Sequence, residues 1–374
     1  MNSEPIRIAQ IMGKMNSGGV ESVVMNYYRN IDKNKVQFDF IIDEDSQNIP
    51  KEEIENMGGK IILVPPYKNI ISYINVLKNI FREERYKIVH SHLNTLSVFP
   101  LYAAKMANVS VRIAHSHSTS NKKEWKRDIL KNILKLFSKL NATHYFCCSE
   151  VAGRWLFGDK LDDRNQVMLI NNAIDIEKFA YNKEEYNKIR EELKLDDKLV
   201  ITHVGRFVQV KNHRLLIDIF NEIHKINSQS ILLLAGDGPL LEDIKEKVNK
   251  LNLSDSVRFL GIRNDINELM KGTDIFLLPS LYEGLPVVGV EAQAAGVLCI
   301  LSKNITKEIK IIETTKFIDI SDSSKEIAEF ILDEYKNFKR IDTKQEIIKA
   351  KFEIKTETKK LQNEYIELYR KVSL

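Results

Sequence analysis

The chain has 374 residues, 43% hydrophobic and 29% charged, with 15 Gly and 8 Pro. That length suits two domains, and that composition excludes disorder and collagen-like structure. Its 56 basic and 52 acidic residues leave a formal net charge of +4, too even a balance for a dedicated nucleic-acid binder.

Met1–Pro5 leads directly into a strand-like segment, without the basic end, apolar stretch and cleavage site of a signal peptide. No apolar run reaches the ~18 residues of a membrane-spanning helix. Cys147, Cys148 and Cys299 lie in apolar runs, which fits reduced, buried thiols rather than a disulfide framework or metal knuckle. The expectation is a cytoplasmic protein, with peripheral attachment to the inner face of the plasma membrane left open.

Short apolar runs then alternate with helical patterns, the signature of α/β architecture. The spacing predicts strands at Ile6–Met12, Phe38–Ile42, Ile61–Val64, Lys87–His90, Val111–His115, His144–Cys148 and Val167–Ile170. Between the first two, Val20, Val23, Val24, Tyr27 and Ile31 fall on one helical face. A second series follows: strands Leu199–Val204, Ile231–Ala235, Val257–Leu260, Asp274–Leu278 and Val297–Leu301, with helices near 212–224, 240–250 and 286–295. Near-continuous apolar strands of this kind suit parallel sheets covered on both faces. Two doubly wound domains joined near Asn172–Lys183 account for the order. From about Asp322 the chain reads as helical and highly charged.

In such domains ligands gather at the carboxyl ends of strands, against helix N-termini. Four segments lie there. Gly13–Gly19 follows the first strand, and Gly18 and Gly19 permit a close backbone approach; it is neither GxGxxG nor a P-loop, and a plain tight turn explains it equally well. Gly205–Asn212 carries Arg206 and Lys211, two cations suited to a diphosphate, or else two solvated surface charges. Ala235–Leu240 holds Gly236, Gly238 and Pro239, largely turn chemistry. Most informative is Pro279–Glu291, where Glu283 lies in a loop, Gly284 allows a turn, and Glu291 sits inside an otherwise apolar helix. A carboxylate in such a place needs a partner, which a ligand with vicinal hydroxyls or an internal salt bridge would supply.

His90 and His92 flank Ser91, and His115 and His117 flank Ser116, each pair at a strand end. No Asp or Cys completes a zinc motif, so His117 is read as a hydrogen-bond donor to a sugar or phosphate. Asp43-Glu44-Asp45 is expected to face solvent rather than hold Mg²⁺. Asn121–Leu140 carries seven basic residues in Lys122, Lys123, Lys126, Arg127, Lys131, Lys135 and Lys139, beside a stripe of Trp125, Ile129, Ile133, Phe137 and Leu140. That pattern fits a helix packed by its stripe and equally one lying on anionic lipid.

Taken together, the four segments resemble the family 4 retaining glycosyltransferases over nearly the whole chain. Glu283 and Glu291 match the family's E-x7-E motif within EGLPVVGVEAQAAG; Gly205, Arg206 and Lys211 match its G-R…K element; Gly236, Gly238 and Pro239 match G-x-G-P; Gly18 and Gly19 match its first glycine-rich loop. Ser302–Ile320 and the AHSHS run around His117 are similar to members that build bacterial capsular or extracellular polysaccharide. In one departure, Val297 and Leu298 follow Gly296 where the family often has Pro, which alters a strand entrance and removes no charged site residue.

The resemblance implies a GT-B fold, two Rossmann-like domains facing a cleft. Residues 1–178 would form the acceptor-side domain and 179–354 the nucleotide-sugar domain, with 355–374 a helix returning to the first. Glu291 would hold the ribose, Glu283 the transferred sugar with Gly284 and Leu285 beside it, and Arg206 and Lys211 the diphosphate, next to Gly205, Gly236 and Gly238. His117 would contact the sugar near the reaction centre, and Gly18 and Gly19 would border donor and acceptor. No cofactor or metal is implied. The expected reaction moves a hexose or N-acetylhexosamine from a UDP-sugar to a lipid-linked polysaccharide unit, by front-face transfer with retention. A noncatalytic nucleotide-sugar-binding subunit and a nucleotide-sugar epimerase are the alternatives.

Overall fold

The structure, a computed structural model, describes residues 4–16, 18–118, 132–158 and 167–373. The chain forms two compact units: Met1–Ala173 with Ile354–Leu374, and Ile174–Glu353. The break thus falls a few residues ahead of 178, and the last helix belongs to the first unit.

Unit 1 is built on β1 (Ile6–Gly13), β2 (Val36–Asp43), β3 (Lys60–Val64), β4 (Ile88–Ser91), β5 (Val111–Ser116), β6 (His144–Cys147) and β7 (Val167–Leu169). All pairings are parallel, in the order β3-β2-β1-β4-β5-β6-β7. Alternation along β1 sends Ala9 and Ile11 into a core with Ile41, Leu77 and Val89, while Gln10 points to the other face. On that other face lies the helix Ile354–Ser373, which buries Leu361, Tyr365 and Leu368 at spacings of four and three. The Tyr365 ring meets Phe38 edge-on at 5.9 Å. Each buried leucine of this helix is worth about 1.5–3 kcal/mol of transfer free energy. The helix Gly19–Asn30 buries Val23, Val24 and Tyr27 of its expected stripe, together with Met25 and Tyr28.

Unit 2 contains β8 (Leu199–Val204), β9 (Ser230–Ala235), β10 (Val257–Gly261), β11 (Ile275–Leu278), β12 (Leu298–Ser302) and β13 (Thr315–Ile318). They are again all parallel, in the order β10-β9-β8-β11-β12-β13. The apolar sides of β8, β9 and β11 pack on Leu216, Ile219, Phe220 and Ile223 of the helix His213–Ile226. Only the edge strand β13 is absent from the sequence prediction. Both sheets reverse their winding beside their first strand, at β1/β4 and β8/β11, and such switch points are where α/β sheets bind ligands. Cys147, Cys148 and Cys299 are buried and form no disulfide. Among the described residues no helix is long and apolar enough to cross a membrane.

Candidate active site

Two loops meet at the β8/β11 switch point. After β8 the chain runs through Gly205–Asn212 into the helix His213–Ile226; after β11 it passes Pro279–Pro286 into the helix Val287–Ala294. The loops are tied together where Leu281 N–H donates to Val210 O at 2.8 Å and Asn212 Nδ2 donates to Pro279 O at 3.2 Å. Asn212 holds a left-handed backbone, φ 55°, which asparagine tolerates better than most residues.

This junction brings Lys211 Nζ to 2.6 Å from Glu283 Oε1, and Ser280 Oγ donates to the same oxygen at 3.0 Å. Glu283 Oε2 makes no hydrogen bond among the described residues. The sequence suggested separate tasks for Lys211 and Glu283; the structure makes them neighbours. Arg206 stands exposed on the same loop, with no ion pair among the described residues.

Glu291 lies in the helix Val287–Ala294, with buried Val290 and Ala292 on either side in sequence. Its carboxyl has no hydrogen-bond partner among the described residues, and burial pushes its pKa up to about 7. Of the two partners the sequence allowed, an internal salt bridge is therefore not formed. A carboxyl so placed retains its full capacity to accept hydrogen bonds from a ligand.

Gly236 and Gly238 fit the β8 and β9 loops to each other. They adopt φ of 140° and 156°, and a Cβ on Gly236 would lie 2.2 Å from Gly205 O. Side chains at either place would push the Arg206 loop off the sheet end.

The sequence reading passes over His203 and His213, which back this loop. His203 Nδ1 lies 2.8 Å from Leu277 O, and as a carbonyl only accepts, that nitrogen carries the proton. His213 stacks on Phe207 at 4.1 Å with neither ring nitrogen partnered among the described residues. Burial first, then the nearby Lys211, lowers the His213 pKa to about 4; burial holds His203 far below its ordinary value as well. Both rings are thus neutral and add no charge to the Lys211 side. The signal available in the sequence was only the run Lys211-Asn212-His213.

In unit 1, Gly18 caps the helix Gly19–Asn30, and a Cβ on Gly19 would meet nothing within 4 Å. Asp43 corrects an expectation. It is fully buried, neither carboxylate oxygen has a partner among the described residues, and desolvation with neighbouring Asp45 raises its pKa to about 6. Glu44 and Asp45 are exposed as expected, Asp45 paired with Lys14. Asp43 is the last residue of β2, a strand buried at every position, so the burial of Ile41 and Ile42 carries on through it.

The four strand-end histidines form one buried cluster. His90 Nε2 is 3.0 Å from His115 Nδ1, His92 Nδ1 is 2.8 Å from His117 Nε2, and the His115 and His117 rings stack at 3.8 Å. One nitrogen from each of His90, His92 and His115 falls within 4.8 Å of the others. Both nitrogens of His90 and of His92 are hydrogen-bonded within the cluster and to Tyr365 and Gln10. Burial lowers all four pKa values, that of His117 to about 3. His117 N–H also donates to Asn94 Oδ1 at 2.7 Å.

Of the basic segment Asn121–Leu140, residues 121–131, with Trp125 and five of the seven cations, lie outside the described residues. In the remainder Leu134 is buried, whereas Ile133, Leu136, Phe137 and Leu140 are exposed beside exposed Lys139. The expected stripe members Ile133, Phe137 and Leu140 therefore do not pack inward.

Comparison with known proteins places both units. Residues 17–178 match the family "Glycosyltransferase Family 4" and residues 185–350 match "Glycosyl transferases group 1". The chain is 40% identical over 315 residues to the putative glycosyltransferase EpsF of Bacillus subtilis, covering 83% of this chain and 82% of that one. It is 30% identical over 256 residues to the UDP-Gal:alpha-D-GlcNAc-diphosphoundecaprenol alpha-1,3-galactosyltransferase of Escherichia coli, covering 67% and 65% of the two chains. Its fold is similar to that of Anabaena Alr3699/HepE, solved in complex with UDP and glucose, with a TM-score of 0.74 at 16% identity over 98% of each chain. By that match to EpsF across most of both proteins, the chain belongs to the glycosyltransferases, its first unit of the Family 4 kind and its second of the group 1 kind.

Proposed function

We propose that this glycosyltransferase moves a hexose or N-acetylhexosamine from a UDP-sugar to a lipid-linked polysaccharide repeat unit, retaining the anomeric configuration and requiring no metal. The observation that carries this reading is the Lys211–Glu283 ion pair between the two loops of the β8/β11 switch point, with Arg206 on the first loop and Glu291, without a hydrogen-bond partner among the described residues, on the helix after the second. The choice of a UDP-sugar and a lipid diphosphate acceptor follows the Escherichia coli relative, whose own name specifies both.

In this reading Glu291 accepts hydrogen bonds from the ribose diol. Glu283 Oε2 accepts from a hydroxyl of the transferred sugar, while its Oε1 holds Lys211 in place. Breaking the glycosidic bond places negative charge on the departing diphosphate and positive character on the anomeric carbon. Arg206 and Lys211 meet the first by electrostatic preorganisation, the role a divalent cation plays elsewhere. Double displacement needs a carboxylate on the face opposite the leaving group. Glu283 is committed to Lys211 and a sugar hydroxyl, so front-face transfer is preferred, with the departing phosphate taking the acceptor's proton. His117 contacts the sugar.

The exposed Ile133, Leu136, Phe137 and Leu140, set among lysines, are assigned to an anionic membrane surface, where a lipid-linked acceptor would reside. Charge reversal at Lys135 and Lys139 should weaken sedimentation with phosphatidylglycerol vesicles; unchanged binding would remove this element.

The test of the reaction offers radiolabelled UDP-galactose, UDP-glucose and their N-acetylamino counterparts with undecaprenyl diphosphate saccharides, with and without EDTA. Label should pass to the lipid fraction from an α-linked donor as an α-linkage by NMR, equally in EDTA. An isomerised nucleotide sugar would indicate an epimerase instead, a β-linkage would exclude retention, and EDTA inhibition would exclude metal independence.

A further inference from the structure

The C-terminal helix reaches into the histidine cluster of unit 1 through a single side chain. Tyr365 is fully buried, and its hydroxyl lies 2.6 Å from His90 Nδ1 and 3.2 Å from Gln10 Nε2. Gln10 Oε1 lies 2.8 Å from His92 Nε2, and His92 Nδ1 lies 2.8 Å from His117 Nε2. Five side chains from β1, the ends of β4 and β5 and the last helix thus form one continuous chain of hydrogen bonds, with His115 as its further branch.

Each link fixes the next. The Gln10 amide faces Tyr365 with its nitrogen, so its oxygen, which only accepts, faces His92. His92 Nε2 must then carry a proton. A neutral imidazole has one, so His92 Nδ1 is bare and accepts from His117, whose Nε2 carries the proton. His117 is neutral too, and its Nδ1 is therefore a bare lone pair, without a hydrogen bond among the described residues. On the other branch the Tyr365 hydroxyl, accepting from Gln10, donates to His90 Nδ1, and His90 Nε2–H donates to His115 Nδ1. The remaining His115 N–H ends in the interior with no partner among the described residues.

We propose that Tyr365, acting through Gln10 and His92, is a positioning residue that holds His117 in the Nε2–H tautomer, so that His117 meets the sugar as a hydrogen-bond acceptor. This reverses the donor role read from the sequence, and it rests on the assignment of His117 to the sugar. An acceptor at that place selects a sugar with a hydroxyl to donate. Were the tautomer free to reverse, the same ring would present an N–H and repel that proton. Tyr365 thus acts from the last helix by holding the Gln10 amide, whose orientation sets the nitrogen that His117 presents.

The test labels the histidines of the full-length protein with ¹⁵N and assigns His117 through its loss in His117→Gln. In the unaltered protein His117 Nδ1 should resonate in the range of a bare imidazole nitrogen. Tyr365→Phe, which keeps the ring on Phe38, and Gln10→Met, which keeps the volume, should each move His117 towards a mixture of tautomers. Both should lower kcat about tenfold, the worth of one net hydrogen bond, with UDP affinity unchanged because the nucleotide contacts lie in unit 2. A His117 Nδ1 that carries a proton, or a tautomer indifferent to both variants, overturns the proposal. So does stoichiometric zinc in the purified protein that is lost in His115→Ala, since a metal would occupy nitrogens that the chain requires. If the tautomer responds while His117→Gln leaves turnover intact, the sugar contact is overturned and the positioning chain stands.

Discussion

The two units hold the polar groups assigned to donor and sugar in opposite ways. Unit 2 places Arg206, Lys211, Glu283 and Glu291 on strand-end loops and one helix, all at least partly open to solvent. Unit 1 places His90, His92, His115 and His117 inside, neutral, and bonded to one another and to a helix more than 240 positions away in the chain. Ionised groups at an open site can bind charge and answer to a ligand at once. Neutral groups in a closed network set the direction of their hydrogen bonds and resist change. The first arrangement suits a diphosphate, the second the orientation of a sugar hydroxyl.

Acid is the strongest lever on this contrast. The four clustered histidines of unit 1 and His203 and His213 of unit 2 all have pKa values lowered by burial, so below the unfolded value near pH 6.5 only the unfolded state gains protons. Stability is therefore full above pH 6.5 and falls beneath it. The slope reaches about 5.5 kcal/mol per pH unit for four such groups and about 2.7 for two. Asp43 and Glu364 in unit 1 and Glu291 in unit 2, all raised, act in the opposite sense. Hydrogen exchange followed by mass spectrometry at pH 5 and 7 should show unit 1 opening more than unit 2. An equal response would break the comparison.

Next in size is Lys211→Ala, which removes a cation from the departing diphosphate and leaves Glu283 without its ion pair. A fall in kcat of about 10²–10³ is expected, the loss seen when one preorganised group is removed from a developing charge. The double variant with Glu283→Ala should cost less than the two single losses combined, because the groups touch. Full additivity in the kinetics would show that they work apart.

Gly236→Ala brings a Cβ against Gly205 O in a backbone region that alanine avoids. It should destabilise unit 2 by about 1–3 kcal/mol, whereas Gly19→Ala, facing open space, should leave the melting temperature unchanged. Reversal of that order would remove the account of the second glycine loop.

The smallest effect concerns Glu291. Its pKa of about 7 means that the ligand-free carboxyl is half ionised near neutrality, and only the ionised form accepts from both ribose hydroxyls. Affinity for UDP-glucose, whose diphosphate does not titrate in this range, should rise up to about tenfold per pH unit below 7 and level off above it. Calorimetry on Glu291→Gln should give a flat profile. A slope that persists in that variant would assign the titration to another group.

The contrast also explains what could be read from the sequence. Loops after strands announce themselves, because glycine, proline and charge are sparse in the apolar runs on either side; Arg206, Lys211, Glu283 and Glu291 all stood out in this way. Twelve strands were visible as apolar runs. β13 was not, since Thr315–Ile318 is short and its middle residues are half-buried. Asp43 was misread because an acidic triplet resembles a turn, while β2 in fact extends to its first residue. Tyr365 carried no signal at all, as nothing local distinguishes a tyrosine on a packed helical face from one that reaches His90. His203 and His213 were hidden for a related reason, being neutral rings in a position where only charges attract notice.

One consequence of the way unit 1 is composed concerns its birth. Its sheet is complete once residue 169 has been made, yet Tyr365 follows only after all of unit 2 has been translated. At ribosomal rates of about 5–20 residues per second, the strands of unit 1 wait on the order of ten seconds or more for their last helix. Throughout that interval His90 and Gln10 lack their common partner, and Phe38 has its stacked neighbour Tyr28 without the edge contact of Tyr365. A nascent chain is thus unable to orient His117 early, and only a finished polypeptide acquires the ordered tautomer.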